Sequence, residues 1–210
     1  MALGILRNFV KARFDNPNIL LALIFLLLPF ALLVAVRALF GISIQPLDIA
    51  IGALREIIYF ILASILMYIL LVVFKGRNVR GKFSSIVSAF STTYLITFIF
   101  SALCLLVVHI AVPGFFAKIA TLQGQNVTFE QMLSVVSSLA LPSESVLLAL
   151  TIVMVLLGFF ALFSGAYVIY KIGKLVDEHN SFSNSVFVVV FAVLSFVLSN
   201  LVAFAFSLFL

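Results

Sequence analysis

The sequence predicts an all-α, polytopic membrane protein: a bundle of five transmembrane helices with its N-terminus cytoplasmic and its C-terminus outside. Three observations carry this. The 210 residues are 65% hydrophobic and 9% charged, with a mean hydropathy of +1.38, whereas a soluble domain carries roughly 25% charged residues. Five apolar runs, at about 18–40, 55–74, 84–111, 145–170 and 183–209, each reach the length of about 20 residues that a helix needs to cross the hydrocarbon. Basic residues gather beside alternate ends of those runs. In lipid the backbone must satisfy its own hydrogen bonds, so apolar runs of this length are helices.

Residues 1–17 form the first segment. Leu3, Leu6, Val10 and Phe14 recur at helical spacing, with Ile5 and Phe9 beside them, while Arg7, Lys11 and Arg13 point elsewhere. The expectation is an amphipathic helix lying in the cytoplasmic interface on anionic lipid. The order of charged, apolar and small residues that marks a cleavable signal peptide is not visible in it. Asn16-Pro17 breaks this helix from the first span, and Pro29 within that span should kink it. The rest, 18–210, is one five-span domain.

Between the second and third spans lies "FKGRNVRGKF", which packs Lys75, Arg77, Arg80 and Lys82 between two spanning runs. With the N-terminus inside, the inner segments hold nine basic residues (Arg7, Lys11, Arg13, Lys75, Arg77, Arg80, Lys82, Lys171, Lys174) and the outer side three (Arg37, Arg55, Lys118). This is a positive-inside bias. It assigns the net charge of +5 to topology and anionic lipid rather than to nucleic acid. Lys75, Arg77, Arg80 and Lys82 are the candidate lipid- or partner-binding loop.

In the third span Ser85, Ala89, Thr93, Thr97 and Ser101 repeat every four residues. Small residues let helices approach, and hydroxyls can bond across the contact, so the stripe should face the bundle. Gly158, Ser164, Gly165 and Ala166 of the fourth span are its candidate partner. The outer connection, 112–144, carries a capping box at Thr128 and Gln131, a short amphipathic helix expected over 129–140, and a glycosylation triplet at Asn126. Tyr68, Lys75, Phe83 and Ser84 recur 99 residues later as Tyr167, Lys174, Phe182 and Ser183, an echo of two hairpins in one orientation.

No catalytic motif or metal-ligand spacing is legible, so no enzyme activity, metal or cofactor is expected. His109 and His179 lack a neighbour that would make a dyad, and Cys104 stands alone in an apolar run. Arg37, Asp48, Arg55 and Glu56 gather near one membrane surface. Their expected role is snorkelling and an outer ion pair; as an alternative they form the entry site of a small-solute or lipid transporter, or of a transport subunit.

Two stretches, "LLVVFKGRNVRGKFSSIVSAFSTTYLITF" and "GFFALFSGAYVIYKIGKLVDEHNSFSNSVFVVVFAVLSFVL", together with the Asn-Pro before the first span, resemble the Yip-domain family of five-span membrane proteins named for Ypt/Rab GTPase interaction. The resemblance implies a cytoplasmic N-terminus, five helices and a non-catalytic role in membrane organisation or trafficking. Those relatives carry a long cytosolic N-terminal region. Here about seventeen residues precede the first span, which counts against GTPase binding and likens the chain to the short bacterial or archaeal members. The expected setting is the cell membrane, with anionic lipid, a membrane-protein partner or a second copy as companions.

Overall fold

The computed structural model describes residues 2–40, 45–112, 114–116, 118, 143–176 and 181–207. They are helical almost throughout. An amphipathic helix α1 (Ala2–Asp15) precedes α2 (Ile19–Leu39) and α3 (Pro46–Lys75). A 3-10 turn (Gly76–Val79) leads to a short α4 (Phe83–Phe90), which continues after a break at Ser91 as α5 (Thr92–Ala111). Then come α6 (Glu144–Val176) and α7 (Ser181–Ser207). Five spans are long and apolar enough to cross a membrane: α2, α3, α4 with α5, α6, and α7.

Local chemistry sets several boundaries. Asn18 caps α2, its Oδ1 accepting from the Leu21 amide at 2.9 Å. α3 starts at Pro46 rather than at 55, because proline at the first position has the right φ and no amide to leave orphaned. α3 ends at Gly76, whose φ of 61° suits glycine. α2 runs unbroken past Pro29. The third span is interrupted instead at Ser91, where Ser91 Oγ donates to the Ser88 carbonyl at 2.7 Å and Thr93 Oγ1 to the Phe90 carbonyl at 2.8 Å. Such side-chain bonds compete with the helix ladder and bend it.

The spans close a ring. α2 packs on α3 and α5, α5 on α6, α6 on α7, and α7 on α3. The centre is aromatic: Phe60 stacks on Phe90 at 5.8 Å, Tyr94 meets Phe60 edge-on at 5.4 Å, and Phe90 meets Phe191 edge-on at 5.7 Å. α6 is the least embedded span. From Glu144 to Tyr167 it buries no residue; Val168, Ile172, Gly173 and Val176 carry its burial.

α1 does not lie apart on lipid. It packs on α4 and α6, with Val10 and Phe14 buried. Leu3 and Ile5, at its start, are exposed and remain available to the interface. One expectation is corrected here: Arg13 does not point away from the bundle. It is 6% exposed, donates from Nη2 to the Asn18 carbonyl at 2.9 Å, and lies over the Phe25 ring at 5.5 Å. A guanidinium can be buried this way because its fork satisfies a carbonyl while its face stacks on an arene. Burial lowers its pKa from the usual value, and it remains charged at neutral pH.

Candidate functional site

Among the described residues three places in the bundle carry polar chemistry: the end where α1 docks, a pair of clefts beside α6, and the Arg55–Glu56 pocket at the far end.

At the α1 end the side chain of Arg77 lies outside the described residues, and the other three basic residues of the turn do not act alike. Lys75 is 8% exposed, so it is not offered to headgroups as expected; it closes α3 inside the protein. Lys82 is half-buried and lies over the Phe14 ring of α1 at 5.9 Å. Arg80 is exposed, as are Arg7 and Lys11 on α1. Because α1 packs on α4, its cations and those of the turn share one end of the molecule. Tyr68 packs edge-on against Phe83 at 5.4 Å, which ties the turn's two flanks together. The echoed Tyr167 lies on α6, and the side chain of Phe182 falls outside the described residues.

The small stripe of the third span and the small patch of α6 do meet, but around space. Thr93, Thr97, Gly165 and Ala166 line a cleft of about 430 Å³ between α3, α5, α6 and α7. Thr97, Ser101, Cys104 and Gly158 line a second, of about 510 Å³, which reaches Pro29 on α2. A Cβ placed on Gly158 or Gly165 would meet nothing within 4 Å. These glycines therefore widen the clefts instead of bringing backbones into contact. Nor do the threonines bond across: Thr93 and Thr97 Oγ1 donate to Phe90 and Thr93 carbonyls of their own segment, at 2.8 and 3.0 Å. A threonine hydroxyl reaches its own helix's carbonyls sooner than a neighbouring helix. Within the stripe, Ala89 is fully buried, and Ser85 and Ser101 are half-buried.

Among the described residues two other glycines do touch a neighbour: Gly52 of α3, where a Cβ would lie 2.8 Å from the Phe30 ring of α2, and Gly173, missed in the sequence because no small-residue repeat surrounds it. The partner of Gly173, Asn184, is fully buried on α7.

At the far end, Arg55 Nη2 and Glu56 Oε1 lie 3.5 Å apart, with side chains 50% and 33% exposed. They share a pocket of about 260 Å³ with Tyr59 and Ser199. Asp48 is exposed and Arg37 half-buried. Neither forms an ion pair with the Arg55–Glu56 couple among the described residues, so the four charges are not one cluster. His109 joins an aromatic trio with Phe40 and Phe116, at ring distances of 5.9 and 6.5 Å. Among the described residues no group of three metal-ligating side chains converges. The expected 129–140 helix, its capping box, the glycosylation triplet and His179 lie outside the described residues.

Compared with known proteins, the chain matches no family model, no curated protein and no solved structure.

Hydroxyls, the Arg55–Glu56 ion pair and exposed cations are groups that bind and orient amphiphiles.

Proposed function

We propose that this chain is a non-enzymatic membrane-organising protein of Yip-domain type, whose α1 end faces the cytoplasm and engages anionic lipid. The observation that carries the proposal is the docking of α1 on α4 and α6, which puts exposed Arg7, Lys11 and Arg80 at one end. Exposed Leu3 and Ile5 beside those cations give the same end an apolar edge to insert. Each basic residue near anionic headgroups contributes about 1 kcal/mol. The positive-inside bias assigns this end to the cytoplasm and the C-terminus to the outside. A transport role draws less support, because Arg37 and Asp48 stand apart from Arg55 and Glu56.

The test replaces Arg7, Lys11, Arg77 and Arg80 with Gln. Protein reconstituted in phosphatidylcholine nanodiscs doped with phosphatidylglycerol should lose its enrichment of the anionic lipid, and terminal reporter fusions should show a weakened or mixed topology. Unchanged enrichment would remove the lipid-binding role.

A further inference from the structure

The cleft between α3, α5, α6 and α7 is graded along its length. At its far end stands the Arg55–Glu56 pair, in a pocket that it shares with Tyr59 and Ser199. Tyr59 also lines the 430 Å³ cleft, so the two spaces adjoin. Glu56 and Tyr59 lie about one turn apart on α3, as do Ser199 and Ser195 on α7, a step of about 5.4 Å. Ser195 lines the cleft and is 9% exposed; its Oγ lies beside the Tyr59 hydroxyl and, among the described residues, completes no well-formed hydrogen bond. The Tyr94 hydroxyl is also buried there without one. The remaining wall is apolar, formed by residues such as Leu162, Ile169, Val188 and Phe191.

A buried hydroxyl left without a partner in hydrocarbon costs free energy, and two facing one cleft point to an occupant that carries acceptors. The order of chemistry along the cleft is ion pair, hydroxyls, hydrocarbon. A glycerolipid runs in the same order: charged headgroup, ester carbonyls, acyl chain. We infer that the cleft binds one zwitterionic glycerophospholipid from the leaflet at the Arg55 end. Arg55 takes the phosphate and Glu56 the ammonium, so both signs of the pair are used. Tyr94 and Ser195 donate to the ester carbonyls. One acyl chain lies against Phe191 and Ile169, using the room left at Gly165, where a Cβ meets nothing within 4 Å. The cleft volume falls in the usual range for a small-molecule site, about 300–1,000 Å³.

The probe is phosphatidylethanolamine with a diazirine in one acyl chain, incorporated with the whole protein into phosphatidylcholine nanodiscs, irradiated, and mapped by mass spectrometry. Labelling should concentrate on 161–169 and 188–195. Gly165→Phe, which fills the cleft, should reduce it about tenfold, the equivalent of about 1.4 kcal/mol. Val189→Phe, which adds the same bulk at a position 63% exposed, should leave it unchanged. Ser195→Ala removes the hydroxyl without adding bulk to the cleft, and serves if Gly165→Phe does not fold; it too should lower labelling. The Arg55→Gln/Glu56→Gln pair should abolish the preference for this probe over a phosphatidylglycerol analogue. Even labelling of every lipid-facing helix, or cleft labelling that survives Gly165→Phe and Ser195→Ala, overturns the inference. So does efficient disulfide dimerisation of Leu162→Cys in a Cys104→Ser background, since a second copy would then fill the cleft.

Discussion

Gly173 of α6 and Asn184 of α7 touch so closely that a Cβ on Gly173 would lie 2.9 Å from Asn184 Oδ1. The same Cβ would sit 3.5 Å from the Phe187 ring. Neither Oδ1 nor Nδ2 of Asn184 has a hydrogen-bond partner among the described residues. The two helices are therefore joined here by fit and not by a polar bond.

Gly173→Ala should consequently destabilise the protein by about 1–3 kcal/mol, the range for overpacking a filled site. Asn184→Ala should be far milder, because it removes an amide whose burial is uncompensated. The double variant should melt closer to the wild type than Gly173→Ala alone. Thermal unfolding of the four proteins in one detergent checks this as a double-mutant cycle; additive losses would contradict the contact.

The glycines that face the clefts should behave oppositely. Gly158→Ala and Gly165→Ala meet open space and replace a poor helix former, so each should hold or raise stability by up to about 1 kcal/mol. The same melting assay decides. A loss at either position comparable with that of Gly173→Ala would show that α5 and α6 are in closer contact than described.

Arg13→Gln should loosen α1 without unfolding the bundle. It removes the guanidinium over Phe25 and the charged hydrogen bond to the Asn18 carbonyl, a kind of bond worth about 1.5–3 kcal/mol. Hydrogen exchange over 2–15 should quicken while α3 and α7 keep their protection. Arg13→Lys should rescue only in part, since an ammonium lacks the flat fork.

Ser88→Ala tests the seam between the first and third spans. The Asn18 amide donates to Ser88 Oγ at 3.2 Å, across seventy residues of chain. Losing that acceptor at a fully buried serine should cost about 1 kcal/mol. Exchange should rise at Asn18, with Leu21, capped by Asn18 Oδ1, following it.

Five spans were legible because hydropathy over twenty residues is a bulk property that no single contact alters, and Ile19–Leu39 was placed within a residue or so of its observed ends. Pro46 was not legible as a start, since a proline near a span reads equally as loop and as first helical residue. The stripe on the third span correctly identified α6 as a neighbour. Periodicity gives direction only, however, and could not reveal that Gly158 and Gly165 leave clefts. Arg13 was misplaced because a helical wheel assigns charge to water, whereas its partner, the Asn18 carbonyl, belongs to a backbone that no wheel displays. Charge density alone likewise could not separate exposed Arg80 from buried Lys75.

The scant burial of α6 also bears on how the molecule responds to its surroundings. The residues that this helix buries lie between Val168 and Val176, and Phe159, Phe160, Leu162 and Phe163 all turn more than half their surface outward. Over that length the surrounding hydrocarbon replaces neighbouring side chains as the medium that holds the rod upright. A micelle and a bilayer exert different sideways forces, so spin labels at Leu148 and Leu201 should report a different separation in each. A pair on tightly packed α3 and α7 should read alike in both.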